Sequence, residues 1–194
     1  MVTLKVWLIA LTEFGDLAVV VPLVALVLLW LLFMRSPPLA AWWAIAVALC
    51  AGVTAFLKLS FYGCPPTPDL HSPSGHTSLS TLVYGAMTLV CAAESGGLPR
   101  IAAIGGGASF ILAIAASRLL LYVHSVEEVG LGLAIGTASL ALFGQVYMRC
   151  GAPKVWLSPL FAPAAAVMLI LHGRELHAEE FLRGIARYLR IQCS

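Results

Sequence analysis

Residues 17–34 read LAVVVPLVALVLLWLLFM, eighteen positions without a charge or a side-chain amide. As a helix rising 1.5 Å per residue this run is about 27 Å long, close to the ~30 Å hydrocarbon core of a bilayer. Five further uncharged runs follow: Leu39–Leu57, Thr77–Ala93, Ile101–Ser117, Val129–Met148 and Val155–Leu171. The whole chain agrees with them. Of its 194 residues 61% are hydrophobic and 10% charged, and the mean hydropathy is +0.97, whereas a soluble domain carries about 25% charged residues. Backbone groups in lipid must be satisfied internally, and no alternating barrel pattern is present. The expected fold is therefore all-α, an integral membrane bundle of six transmembrane helices with an amphipathic C-terminal helix.

No composition shift or linker marks a second unit, so residues 1–194 are read as a single transmembrane domain. A formal charge of +2, carried by scattered basic residues, excludes a nucleic-acid footprint and leaves the lipid bilayer as the partner. Glu13 and Asp16 precede the first long run and no small-residue cleavage site follows it, which argues against a removed signal peptide. Cys50 and Cys91 fall inside apolar runs, and Cys64, Cys150 and Cys193 at or beyond their ends, with neither metal-ligand spacing nor a disulfide framework. The glycines of the fourth and fifth runs, Gly105, Gly106 and Gly107 and then Gly130, Gly132 and Gly136, read as close helix packing.

Polar chemistry gathers in two connections, Lys58–His76 and Arg118–Glu128, which emerge on the same membrane face when the crossings are counted. The first holds HSPSGHTS, residues 71–78. Ser74 or Ser72 suits the N-cap of the third run, and the unpaired amides of Gly75, His76 and Thr77 would then attract an anion. His76 adds an imidazole that titrates near neutrality. Lys58 and Arg118 end their runs on the same face; such residues serve as interface anchors or as anion ligands. In the second connection, His124 and Glu128 lie four residues apart. Glu128 can fix the tautomer of His124 or close a capping box with Ser125, and Glu127 competes with it for the first task. A zinc site of His71, His76, His124 and Glu128 is disfavoured by its spacing and by the two cations. The tail reads as an amphipathic helix, with Ala178, Leu182, Ile185 and Leu189 on one face and Arg183, Arg187 and Arg190 on another. It lies at an interface or is simply solvated.

These residues resemble the type 2 phosphatidic acid phosphatase superfamily, which includes membrane lipid phosphatases and soluble vanadium haloperoxidases. Pro73-Ser74-Gly75-His76 matches the family's second element, and Ser117-Arg118, His124 and Glu128 match the third, with Glu where the family has Asp. The first element keeps Lys58, but Pro65-Pro66 stands where Arg-Pro would fall, with His71 an inferior substitute for the lost Arg. The resemblance implies that His124 attacks phosphorus to give a phosphohistidine, Glu128 orients it and His76 protonates the leaving group. Lys58, Ser74, Gly75 and Arg118 would hold the phosphate oxygens, with no metal or other cofactor. The implied substrate is a lipid phosphate or diphosphate such as phosphatidic acid, phosphatidylglycerophosphate or a prenyl diphosphate. A lipid phosphotransferase and a non-catalytic lipid-binding or carrier protein are the alternatives. Arg35, Arg100, Arg149 and Lys154 on the far loops suggest an inner (cytoplasmic) membrane protein of bacterial type with its site on the periplasmic face.

Overall fold

The computed structural model describes residues 2–63, 65–67, 69–150, 156–176 and 178–188. Apart from an isolated bridge between Thr67 and Leu70, these residues form helices and no strand. In chain order they are α1 (Val2–Glu13), α2 (Leu17–Trp30) running on into a π-helical turn (Leu31–Arg35), α3 (Pro37–Gly63), α4 (Gly75–Glu94), α5 (Gly97–Leu120), α6 (Val126–Arg149), α7 (Ser158–Leu171) and α8 (Ala178–Tyr188).

Among the described residues, four helical stretches are long and apolar enough to cross a membrane: Thr3–Arg35, Pro37–Tyr62, Gly97–Leu120 and Val126–Arg149, the first interrupted by a turn at residues 14–16. The other two expected spans differ for identifiable reasons. Helix α4 is long enough at 20 residues, but Thr77, Ser78, Ser80 and Thr81 make it less apolar. All four are buried, because α4 is the central rod, packed chiefly against α6 and α5 and also against α3 and α2. The hydroxyls of Thr77, Ser78 and Thr81 bond inside the protein, as in Thr54 Oγ1 to Ser78 Oγ at 3.0 Å and Thr81 Oγ1 to the Thr77 carbonyl at 2.7 Å. A rod enclosed by other helices is spared contact with lipid tails and tolerates such groups. Helix α7 has 14 residues, about 21 Å of rise. Val155 and Lys154 before it lie outside the described residues.

Helices α2 to α7 alternate in direction, so the bundle has two rims. At one, Arg35 pairs with Glu94 and donates to the Tyr147 hydroxyl (2.6 Å), tying the ends of α2, α4 and α6. The other carries the ends of α3 and α5 and the starts of α2, α4 and α6. The core between them is apolar, with the Trp43 and Phe143 rings edge to face at 5.2 Å among Leu23, Leu31, Leu82 and Leu160. Close packing of α4 on α6 depends on two of the expected glycines. A Cβ at Gly132 would lie 2.7 Å from the Ser74 carbonyl oxygen, and one at Gly136 would lie 2.4 Å from that of Ser78. Gly107 is likewise filled by Thr88 of α4, whereas Gly105, Gly106 and Gly130 face open space. Cys50, Cys91 and Cys150 are free thiols, buried, half-buried and exposed respectively, and Cys64 and Cys193 lie outside the described residues.

Candidate active site

Each residue at the site rim is placed by a local helix signal. Ser74 is the N-cap of α4, accepting from the Thr77 amide at 3.4 Å and the Thr77 hydroxyl at 2.9 Å. Helix α3 continues past Leu57 because no breaker occurs until Gly63, so Lys58 lies inside the helix, 5% exposed, and donates to Ser72 Oγ at 2.7 Å. Gly75 brings the backbone close to it, since a Cβ there would sit 3.6 Å from the Lys58 Cε. Arg118, in the last turn of α5, donates to Thr12 Oγ1 of α1 at 3.0 Å; its Nε is buried with no acceptor among the described residues. Beyond it Tyr122 takes a left-handed φ of 56°, turning the chain so that the Val123 and His124 amides both return to the Arg118 carbonyl.

Glu128 performs both tasks open to it. Its Oε2 lies 2.6 Å from His124 Nδ1 and accepts from the Ser125 amide, while Ser125 Oγ accepts from the Glu128 amide to complete the capping box. Its Oε1 accepts from the amides of His71 (2.9 Å) and Ser72 (2.7 Å). Four bonds fill the lone pairs of one carboxylate. Glu127 is turned away, accepting from Thr67 Oγ1 at an exposed position. The Ser74 amide donates to the Glu128 carbonyl, so the two connections are stitched together across more than fifty residues of sequence.

With Nδ1 held by Glu128, His124 is left with Nε2 as its free nitrogen. Burial lowers the His124 pKa from its ordinary value; the Glu128 hydrogen bond works against that, and the Arg118 and Lys58 charges add to it. His76 is also lowered, again chiefly by burial, with Asp16 opposing: its Oδ2 is 3.6 Å from His76 Nε2. Both imidazoles therefore favour the neutral form when no anion is present.

Three cavities share this rim. One of about 240 Å³ is lined by Lys58, Gly75, His76 and His124, and then by Leu17, Ala51, Ala55 and Leu79. A second, about 590 Å³, opens from His124, Glu128 and Ser72 toward Tyr62 and His71. The third, about 380 Å³, joins His76 to Arg118, Asp16 and Thr12. All seven residues singled out in the sequence are thus at one rim. Among the described residues no group of three or more His, Cys, Asp or Glu is arranged to hold a metal ion.

Sequence reasoning missed Asp16, Thr12 and Glu179. Asp16 caps α2 through the Ala18 amide (2.8 Å) and accepts from the Leu176 amide (3.0 Å) as well as facing His76. Its signal was legible as an Asp before an apolar run, the mark of an N-cap. Glu179 reaches from α8 to within 3.9 Å of the Lys58 Nζ. Nothing in the tail's own spacing shows that contact. The tail is amphipathic as expected, and it docks on α3 with Leu182, Ile185 and Ala186 turned inward; Leu189 and Arg190 lie outside the described residues.

An all-helical bundle with membrane-length apolar helices and a rim of two cations, a buried and a half-buried imidazole and a capped helix N-terminus defines a membrane-associated protein built to meet an oxyanion. Comparison with known proteins gives that class its family. The sequence model of the PAP2 superfamily matches residues 55–152, just over half of the chain and all seven residues above, and the chain belongs to that superfamily, which includes phosphatases acting on phosphoric esters. It is also 32% identical, over 73% of its length and 69% of the other's, to an uncharacterized 22.5 kDa protein in the cps region of Klebsiella pneumoniae. No solved structure matches it.

Proposed function

We propose that the protein is a membrane-embedded lipid phosphate phosphatase that works through a phosphohistidine at His124. The observation that carries this reading is the 2.6 Å contact between His124 Nδ1 and Glu128, which leaves Nε2 toward a cavity shared with Lys58 and His76. In the first step the Nε2 lone pair forms a bond to phosphorus as the bond from phosphorus to the lipid oxygen breaks. His76 gives its proton to the departing oxygen. In the second step water attacks phosphorus, His76 takes its proton, and the N–P bond breaks to release inorganic phosphate and free His124. Lys58, Arg118, Ser74 and the amides at the start of α4 neutralise the equatorial oxygens, a task a metal ion performs in other phosphatases.

His76 is neutral in the empty site, so its catalytic proton arrives with the substrate. A phosphate dianion beside it offsets the cost of burial and raises its affinity for a proton.

The bundle selects the substrate class. The rim lies at headgroup depth if α2 to α7 are six crossings, with α4 and α7 crossing inside the protein and at its edge, and the apolar end of the smallest cavity receives the first part of a tail. Phosphatidic acid, phosphatidylglycerophosphate and prenyl diphosphates share that chemistry. We place the protein in a bacterial inner membrane with the site on the periplasmic face. Arg35 is buried against Glu94, and among the described residues of the opposite rim Arg100 and Arg149 are the exposed cations that favour this orientation.

Phosphate release from a short-chain phosphatidic acid tests the reading. Release that is blocked by vanadate and reduced at least about 10³-fold in His124→Ala agrees with it, as expected for loss of a nucleophile. Turnover unchanged in that variant removes His124 from the chemistry, and binding without any turnover returns the protein to the non-catalytic class.

A further inference from the structure

Helix α8 contributes something to the rim that the proposed reaction does not use. The Glu179 carboxylate lines all three cavities. Its Oε2 lies 3.9 Å from Lys58 Nζ, and its Oε1 accepts from the Tyr62 hydroxyl at 3.2 Å and from Arg183 Nη2 at 3.1 Å. Burial alone would raise its pKa, but Lys58, His124 and Arg183 outweigh that and hold it below the ordinary carboxylate range, so it is an anion at neutral pH. The position is fixed by packing. Leu182, one turn further on, lines the same cavity as Lys58 and His124, and Leu176 before the helix is anchored by the bond from its amide to Asp16.

We propose that Glu179 is the site's own anion and sets how tightly the cradle holds any phosphate: it weakens binding enough to keep free phosphate off, while phosphates that bring a lipid tail still bind. The idea rests on the phosphatase reading for its substrate, and on the geometry above for the competition itself. Any phosphate that settles beside Lys58 must displace or face a carboxylate already there, and the cost is the same whatever the phosphate carries. A ligand with a second source of binding energy overcomes that cost, and the apolar wall of Leu17, Ala51, Ala55 and Leu79 next to the cradle provides one. Inorganic phosphate has no such source. The same carboxylate therefore favours departure of the product after each turnover.

The test is Glu179→Gln in the full-length protein, which keeps the size and the hydrogen-bonding reach of the side chain and removes the charge. Calorimetric titration with inorganic phosphate should show affinity rising by about tenfold, at the low end of what relief of a like-charge contact gives. In turnover, the KM for a short-chain phosphatidic acid should fall by a similar factor, inhibition by inorganic phosphate should tighten in parallel, and kcat should not rise. Unchanged or weaker phosphate affinity would overturn the proposal. So would binding too weak to measure in both proteins, because the variant would then have exposed no cradle. A kcat reduced a hundredfold at constant KM would also overturn it, making Glu179 part of the chemistry. The calorimetric arm does not depend on turnover, so a protein that binds phosphate without hydrolysing lipid phosphates refutes the phosphatase reading and still decides the role of Glu179.

Discussion

Glu128 joins more of the site than any other residue, because one carboxylate holds the His124 ring, the Ser125 amide and the amides of His71 and Ser72. Glu128→Gln keeps its shape but puts an N–H where an acceptor is needed. Turnover should fall on the order of 10²–10³-fold, less than the loss on removing His124, as for a group that orients a base. Stability should fall by about 1–3 kcal/mol from the backbone donors left unpaired, read as a lower Tm in detergent. The pH profile separates this role from a structural one. Because His124 is held below the ordinary imidazole value, about 6.5, the acid limb of kcat/KM should lie below that pH: the nucleophile stays neutral until acidification reaches its lowered pKa. The Glu128 bond opposes the lowering, so the Gln variant should move the limb to still lower pH. A limb that stays in place would assign it to the substrate's own second ionisation instead.

At the scale of elements, the site depends on how closely α4 lies on α6. Gly136→Ala would place a Cβ against the Ser78 carbonyl oxygen, and since both helices are fixed on several sides, about 1–3 kcal/mol of stability should be lost. Gly130→Ala, facing open space on the same helix, should be neutral or stabilising by up to about 1 kcal/mol. Thermal denaturation of the two variants in detergent makes the comparison, and equal losses would contradict the packing described. The sequence made α2 to α7 legible because each is an uncharged run beside a breaker or cap. It made Lys58, Ser74, His76, Arg118, His124 and Glu128 legible because each lies at or within about a turn of such an end. Glu179 and Thr12 were hidden for the opposite reason. They reach the rim from α8 and α1, whose docking on α3 and α5 is a tertiary fact that no local spacing encodes. The true end of α3 was missed as well, because the uncharged run stops at Lys58 while helical backbone continues to Gly63.

The whole molecule divides its two rims between different tasks. The far rim is closed by Arg35, Glu94 and Tyr147, with the Arg35 guanidinium also over the Tyr147 and Trp30 rings. Arg35→Ala removes the guanidinium that bonds Glu94 and Tyr147 and should lower stability by about 1–3 kcal/mol, while kcat per folded molecule stays unchanged. A change in kcat would mean that the rims are coupled. Six crossings, as proposed above, make their own demand on topology. In a background without native cysteines, Tyr122→Cys and Arg100→Cys should be labelled by a membrane-impermeant thiol reagent from opposite sides, and labelling from one side would refute the alternation.

The most direct test of the account as a whole is to quench the full-length protein in denaturant during turnover of a lipid phosphate carrying radioactive phosphorus. The account expects protein-bound label that survives alkali, is lost in acid, maps to the peptide containing His124 and is absent from His124→Ala. Turnover with label on another residue, or label undiminished in that variant, would contradict it.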